Sequence, residues 1–157
     1  MTGRRKIPIA ILLLLLSLLA DGLWAADWGF RGLLPRGTGY YDKTSIKKIG
    51  KNISQVWTVT IYNEKGRHDA FSILQRKNKA PASPEMLSQE STLLEMDCEK
   101  GLFRIVAYNI FDKDDHLVLS IEEVADAAWH DIVAGSVNEK LKTIVCQSVK
   151  TVKMDSK

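Results

Sequence analysis

From Ile53 to Tyr62 the side chains alternate in character. Ile53, Trp57, Val59 and Ile61 fall on one face, with Gln55 as the exception, while Ser54, Thr58, Thr60 and Tyr62 fall on the other, with Val56 among them. A period of two, rich in β-branched and aromatic residues, predicts a strand. Residues 88–98 and 102–111 have the same character, separated by Glu99-Lys100-Gly101, and residues 116–122 follow after a polar turn at 112–115. Three strands joined by short turns predict an antiparallel meander.

Two stretches switch to a period near 3.6. Within 67–77, Ala70, Phe71 and Leu74 have helical spacing, which predicts a short amphipathic helix after a turn at 63–66. Near the C-terminus, Ser136 and Glu139 form a capping box, each side chain satisfying a free amide of the first turn. Val137, Leu141, Ile144 and Val145 then share one helical face. Cys146 lies about half a turn of the wheel from Val137, so the helix is expected to end at or just before it. The remaining pieces are less regular. Residues 26–39 read as a leader into the fold, because glycines and Pro35 interrupt Trp28, Phe30, Leu33 and Leu34. Tyr40-Tyr41-Asp42 opens a short strand, and 44–49 is a second extended piece before a turn at 50–52. Pro81, Ser83 and Pro84 make 78–84 a loop. Residues 123–135 form a connection in which Trp129 and Ile132 are expected at the sheet edge, and 151–157 read as a frayed tail.

Ahead of all this stand Arg4, Arg5 and Lys6, an apolar run over 7–20 broken only by Ser17, and the small residues Ala25 and Ala26. This basic, apolar, small order is that of a secretory signal peptide. The run is stopped by Asp21, short of the about 20 apolar residues a span needs. Cleavage is expected after Ala25 or Ala26, giving a signal peptide at 1–25 and a single domain at 26–157. No cysteine follows the site, which argues against a lipid anchor. The precursor's +3 charge belongs mostly to the leader: the mature part carries 19 basic and 18 acidic side chains. That balance gives no reason to expect nucleic acid or a membrane surface as partner. The only two cysteines, Cys98 and Cys146, are expected to form one disulfide in an exported chain, tying the end of a central strand to the last helix.

Catalytic and metal-binding patterns are weak. Asp112, Asp114 and Glu123 occupy the first, third and twelfth places of a calcium loop, but the sixth place holds Leu117 where glycine is required and the fifth holds His116. A polar hairpin turn is the simpler reading. His68, His116 and His130 form no ligand pair at helical or strand spacing. No nucleophile elbow, phosphate loop or Ser-His-Asp order occurs. Glu95 and Asp97 are two apart on one strand face, a spacing that admits acid–base work but is usual for a solvated face. Lys47, Lys48 and Lys51 form a small basic corner of the kind that meets sulfated glycans or acidic surfaces, though a few exposed lysines are ordinary. Asn52-Ile53-Ser54 is an N-glycosylation sequon, relevant only in a source that makes such glycans.

An ordered set of residues carries a family pattern: Trp28, Tyr40-Tyr41-Asp42, Ser45-Ile46, Val56-Trp57, Glu95-Met96-Asp97-Cys98, Arg104, Tyr108, Trp129 with Ile132, Gly135-Ser136, and Leu141 with Cys146. Over 28–146 the chain resembles the bacterial surface-adhesin protein E-like domain. The resemblance implies an α+β fold, a six-stranded antiparallel sheet with a C-terminal helix held by the cysteine pair. It also implies adhesive binding: the named member binds host matrix proteins, plasminogen and haem, and dimerises. That member is lipid-anchored, whereas this chain has no lipidation cysteine, and its binding segments match no motif here. Fold therefore transfers better than ligand.

The expectation is an exported, periplasmic or secreted, non-enzymatic binding module without a cofactor. It would present a sheet face or strand edge to a protein partner or envelope ligand, or pair with a second copy through a sheet edge. Trp57 and Tyr62 are candidate contact residues, with core packing the favoured role for Trp57. The alternative is a carrier of a small, flat, haem-like ligand, with His116 or His130 as iron ligand. A third reading is an enzyme acting through Glu95 and Asp97.

Overall fold

The computed structural model describes residues 26–151 apart from 123, 125 and 126; the expected signal segment and residues 152–157 lie outside the described residues. Eight strands form one sheet: β1 (Trp28–Leu34), β2 (Gly37–Asp42), β3 (Lys47–Lys48), β4 (Ile53–Tyr62), β5 (Leu87–Asp97), β6 (Leu102–Asp112), β7 (Leu117–Ile121) and β8 (His130–Asp131). Six of them run in the order β1-β2-β4-β5-β6-β7, every neighbour antiparallel. The short β3 pairs with β4, and β8 pairs with β6. Helices α1 (Glu64–Arg76) and α2 (Val137–Thr151) complete the α+β fold.

The expected meander is present as β5, β6 and β7. The supposed leader is not one: 28–34 is a full edge strand, hairpinned to β2. The register shifts between Phe30 and Gly32, and this bulge places Phe30 and Leu33, three residues apart, on the same face. A bulge hides alternation from a period-two reading. Helix α1 also begins a turn earlier than its apolar spacing suggests, because Asn63 caps it, its Oδ1 accepting the Gly66 amide at 2.8 Å.

Both helices cover the same face of the sheet. Tyr41, Val56, Leu94 and Met96 pack with Leu141 and Val145 of α2. Tyr62, Leu87, Ile110 and Leu119 pack with Ala70 and Leu74 of α1. Between these two apolar clusters β4 and β5 carry buried Thr58, Thr60, Thr92 and Glu90. The covered face of β4 is thus the one that reads as polar, Ser54 to Tyr62. The apolar-looking face, with Trp57, is left without a helix. Trp57 is half-buried there, not in the core as expected, while Tyr62 is buried.

Cys98 and Cys146 are bonded, with Cα atoms 5.8 Å apart. Contrary to expectation, α2 does not end at Cys146 but runs on to Thr151. The helix buries Leu141 and Val145 against the sheet and presents Cys146 on its flank. The β5–β6 turn meets it there: Cys98 lies just past the end of β5, and the Lys142 ammonium lies beside Gly101. The sulfur therefore needs no helix end to reach its partner.

Candidate functional site

On the uncovered face, cross-strand registers set residues in rows. One row runs Leu33, Thr38, Ile61, Gln89, Phe111, and the next runs Phe30, Tyr40, Val59, Ser91, Asn109. Trp28, Phe30, Leu33 and Ile61 are 46%, 62%, 76% and 49% exposed. The Phe30 and Tyr40 rings meet edge-on at 6.0 Å. Trp28, Tyr40, Val59, Ile61 and Gln89 enclose a shallow hollow of about 330 Å³. Single exposed apolar side chains are ordinary, but a contiguous group marks a contact surface.

Toward the β5–β6 side the same face turns polar. Glu95 is buried. Its Oε2 accepts from Arg104 Nε at 2.8 Å and Nη2 at 2.6 Å, and its Oε1 accepts from Gln55 at 2.8 Å. The Trp129 ring covers the Arg104 guanidinium at 4.6 Å, a cation–π contact. Arg104 is thus held between a carboxylate and an indole, which fastens Trp129 over the sheet. An open cleft of about 630 Å³ lies here, lined by Gln55, Glu95, Arg104 and Glu122 among others.

A second polar group lies in the interior, between the helices. Glu90 Oε2 accepts from Tyr62 Oη at 2.9 Å and Tyr108 Oη at 2.7 Å, and pairs with Arg36 at 3.0 Å. Burial, reinforced by the Glu90 charge, raises both phenols, Tyr108 to about 12. Burial lowers the nearby Arg31 guanidinium to about 10, against the pull of Glu90. Arg31 stays a cation at neutral pH and donates to Asn138 of α2. Glu90, Tyr62, Tyr108 and Arg36 close the gap between two apolar clusters and line neither the apolar hollow nor the polar cleft.

The residues singled out from sequence do not converge. Asp97 does not line the cleft that holds Glu95; its Oδ1 accepts the Glu99 and Lys100 amides and builds the β5–β6 turn. The two carboxylates are therefore committed to separate structural tasks. Asp112, Asp114 and His116 have ligand atoms within 4.8 Å of one another, yet Asp112 Oδ1 is already taken by the Asp114 and His116 amides at 2.9 and 2.8 Å. The His116 amide is the first cause of the lowered Asp112 pKa. Glu123 lies outside the described residues. His116 and His130 are exposed, the latter tilted against Phe103, and neither lines the apolar hollow. Lys47, Lys48 and Lys51 are exposed at the β3 corner, and Asn52 donates to Glu99. Trp28, Phe30 and Leu33, all exposed on this face, were missed by the sequence reading because the bulge breaks their alternation.

The surface-adhesin protein E family model matches residues 34–147. The chain belongs to the surface-adhesin protein E family. The match spans the sheet from the last residue of β1 through most of α2, including both cysteines. Three residues of the family pattern, Glu95, Arg104 and Trp129, are the ones that meet over the polar end of this adhesin E sheet. No curated protein matches the chain. Among the described residues no helix is long and apolar enough to cross a membrane.

Proposed function

We propose that this adhesin E domain is an exported, non-catalytic binding module that uses the uncovered face of its sheet as the contact surface. The observation that carries the reading is the group of exposed apolar residues, Trp28, Phe30, Leu33 and Ile61, on a face over which no helix of the described residues lies. Leaving such a group in water is unfavourable, by roughly 25 cal/mol for each Å² of apolar surface that a partner would bury. The disulfide supports a location outside the reducing cytosol, periplasmic or secreted, where such bonds persist. The hollow is half-open and neither His116 nor His130 lines it, which favours a protein or envelope component over a haem-like ligand. A second copy of the chain is one such protein.

A photo-crosslinking residue placed at Ile61 in the producing cells tests this reading. It is expected to give discrete adducts, while the same residue at exposed Gln75 on α1 gives none. Adducts from position 75 alone, or from neither position, would contradict it.

A further inference from the structure

A cleft of about 540 Å³ lies between β1 and α2. One wall is four consecutive residues of β1, Phe30 to Leu33, and the other is Val137, Lys140 and Ile144. Successive residues of a strand point to opposite faces. One cavity touches four of them in a row only where it runs along the strand's edge. Among the described residues this is the free edge: β1 ends the sheet order, and its only strand neighbour there is β2. Among the described residues, no backbone hydrogen bond outside that ladder involves residues 28–34. Gly32 has φ +145°, and a Cβ there would lie 3.0 Å from Val137 Cγ2. Glycine thus lets the strand approach the first turn of α2 and fixes the width of the cleft.

The two sides of the edge differ in chemistry. On the helix side stand the Arg31 guanidinium, turned there by the bulge and donating to Asn138, and Lys140. On the other side stand Phe30 and Leu33, both largely exposed. No carboxylate lines the cleft. An unpaired edge calls for an extended backbone. Two cations beside Val137 and Ile144 on one side, and the apolar Phe30 and Leu33 on the other, call for a segment whose acidic and apolar residues alternate.

We propose that this cleft binds an extended acidic segment of a partner protein, which adds to β1 as a further strand. Its acidic side chains face Arg31 and Lys140, and its apolar ones extend the Phe30–Leu33 row. The proposal rests on the reading of the domain as a binding module and names a second surface, with its partner chemistry. Most of that surface precedes Leu34, where the family match begins.

The test uses the mature, disulfide-bonded chain and a fluorescein-labelled nonapeptide of alternating valine and glutamate, followed by anisotropy. Saturable binding is expected, and it is lost when lysine replaces glutamate. Lys140→Glu, at an exposed position that leaves folding intact, weakens it about tenfold. N-methylation of alternate peptide amides abolishes binding when it falls on the edge-facing set and spares it when it falls on the other, which no side-chain-only mode reproduces. Failure of the acidic peptide to bind overturns the proposal. So does equal binding of the lysine peptide, indifference to the N-methyl pattern, or a stable dimer that already occupies β1. Ile61→Asp, beyond β2 on the uncovered face, separates the two readings. With the photo-crosslinking residue moved to Gln89, which lines the same hollow, loss of crosslinking while the peptide still binds leaves both surfaces standing; if Ile61→Asp ends peptide binding while Lys140→Glu does not, the edge site falls alone.

Discussion

Glu90 ties three side chains together in the interior. Its carboxylate accepts from the buried Tyr62 and half-buried Tyr108 phenols and neutralises Arg36 between the helices. Glu90→Ala strands both hydroxyls and the guanidinium, and is expected to lower stability by about 2 kcal/mol in urea unfolding, near the low end for a broken buried pair because Arg36 is partly solvated. The same network sets an alkaline limit. The folded pKa values of Tyr62 and Tyr108 are raised, so the folded state holds protons that the unfolded chain releases. The resulting stability is fully present below about pH 10 and is lost as pH rises through about 12. Absorbance of tyrosinate near 295 nm checks this: at about pH 11 both phenols remain protonated in the folded chain and ionise only when it unfolds. A smooth ionisation of all four tyrosines ahead of unfolding would count against the network.

At the scale of elements, packing turns on close approaches that only glycine and the disulfide allow. A Cβ on Gly66 would lie 2.0 Å from the Arg36 carbonyl oxygen, so Gly66→Ala must push α1 off the β1–β2 hairpin, at a cost of about 2 kcal/mol or more in thermal or chemical unfolding. The Cys98–Cys146 bond closes a separation of 48 residues; removing it by paired Cys98→Ala and Cys146→Ala exchange is expected to cost about 4 kcal/mol. A change below about 1 kcal/mol in the double variant would mean that the helix is held by packing alone. The elements that announced themselves in the sequence are those whose local pattern is uninterrupted: β4, the β5–β6–β7 meander, and the start of α2 at Ser136. The misreadings have physical causes. In β1 the bulge at Arg31 shifts the alternation by one residue. In α2 the wheel placed Cys146 correctly off the apolar face, but the turn it bonds to rises beside the helix instead of lying beneath it. In β4 the face with more apolar residues is the uncovered one, because the gap between two helices is filled by threonines and a charged network that sequence alone marks as exterior.

For the whole molecule, the consequence is a one-sided fold. Two helices and a disulfide cover one face of the sheet, and the other face presents apolar rows at the β1–β2 end and the Glu95–Arg104–Trp129 cluster at the β5–β6 end. Membership of the surface-adhesin protein E family accords with a face kept for contact, but the family match gives the fold and leaves the partner to the surface chemistry. That surface was the least legible part of the sequence, since exposed Phe30 and Leu33 look like core residues until their cover is found to be missing. Hydroxyl-radical footprinting of the dilute, oxidised mature chain tests the one-sided arrangement directly. Phe30, Leu33 and Ile61 are expected to be modified nearly as fast as in the unfolded chain, with Val56, Leu94 and Leu141 strongly protected. If Phe30 and Ile61 are protected to the same degree as Val56 and Leu94, the face is covered and the account fails.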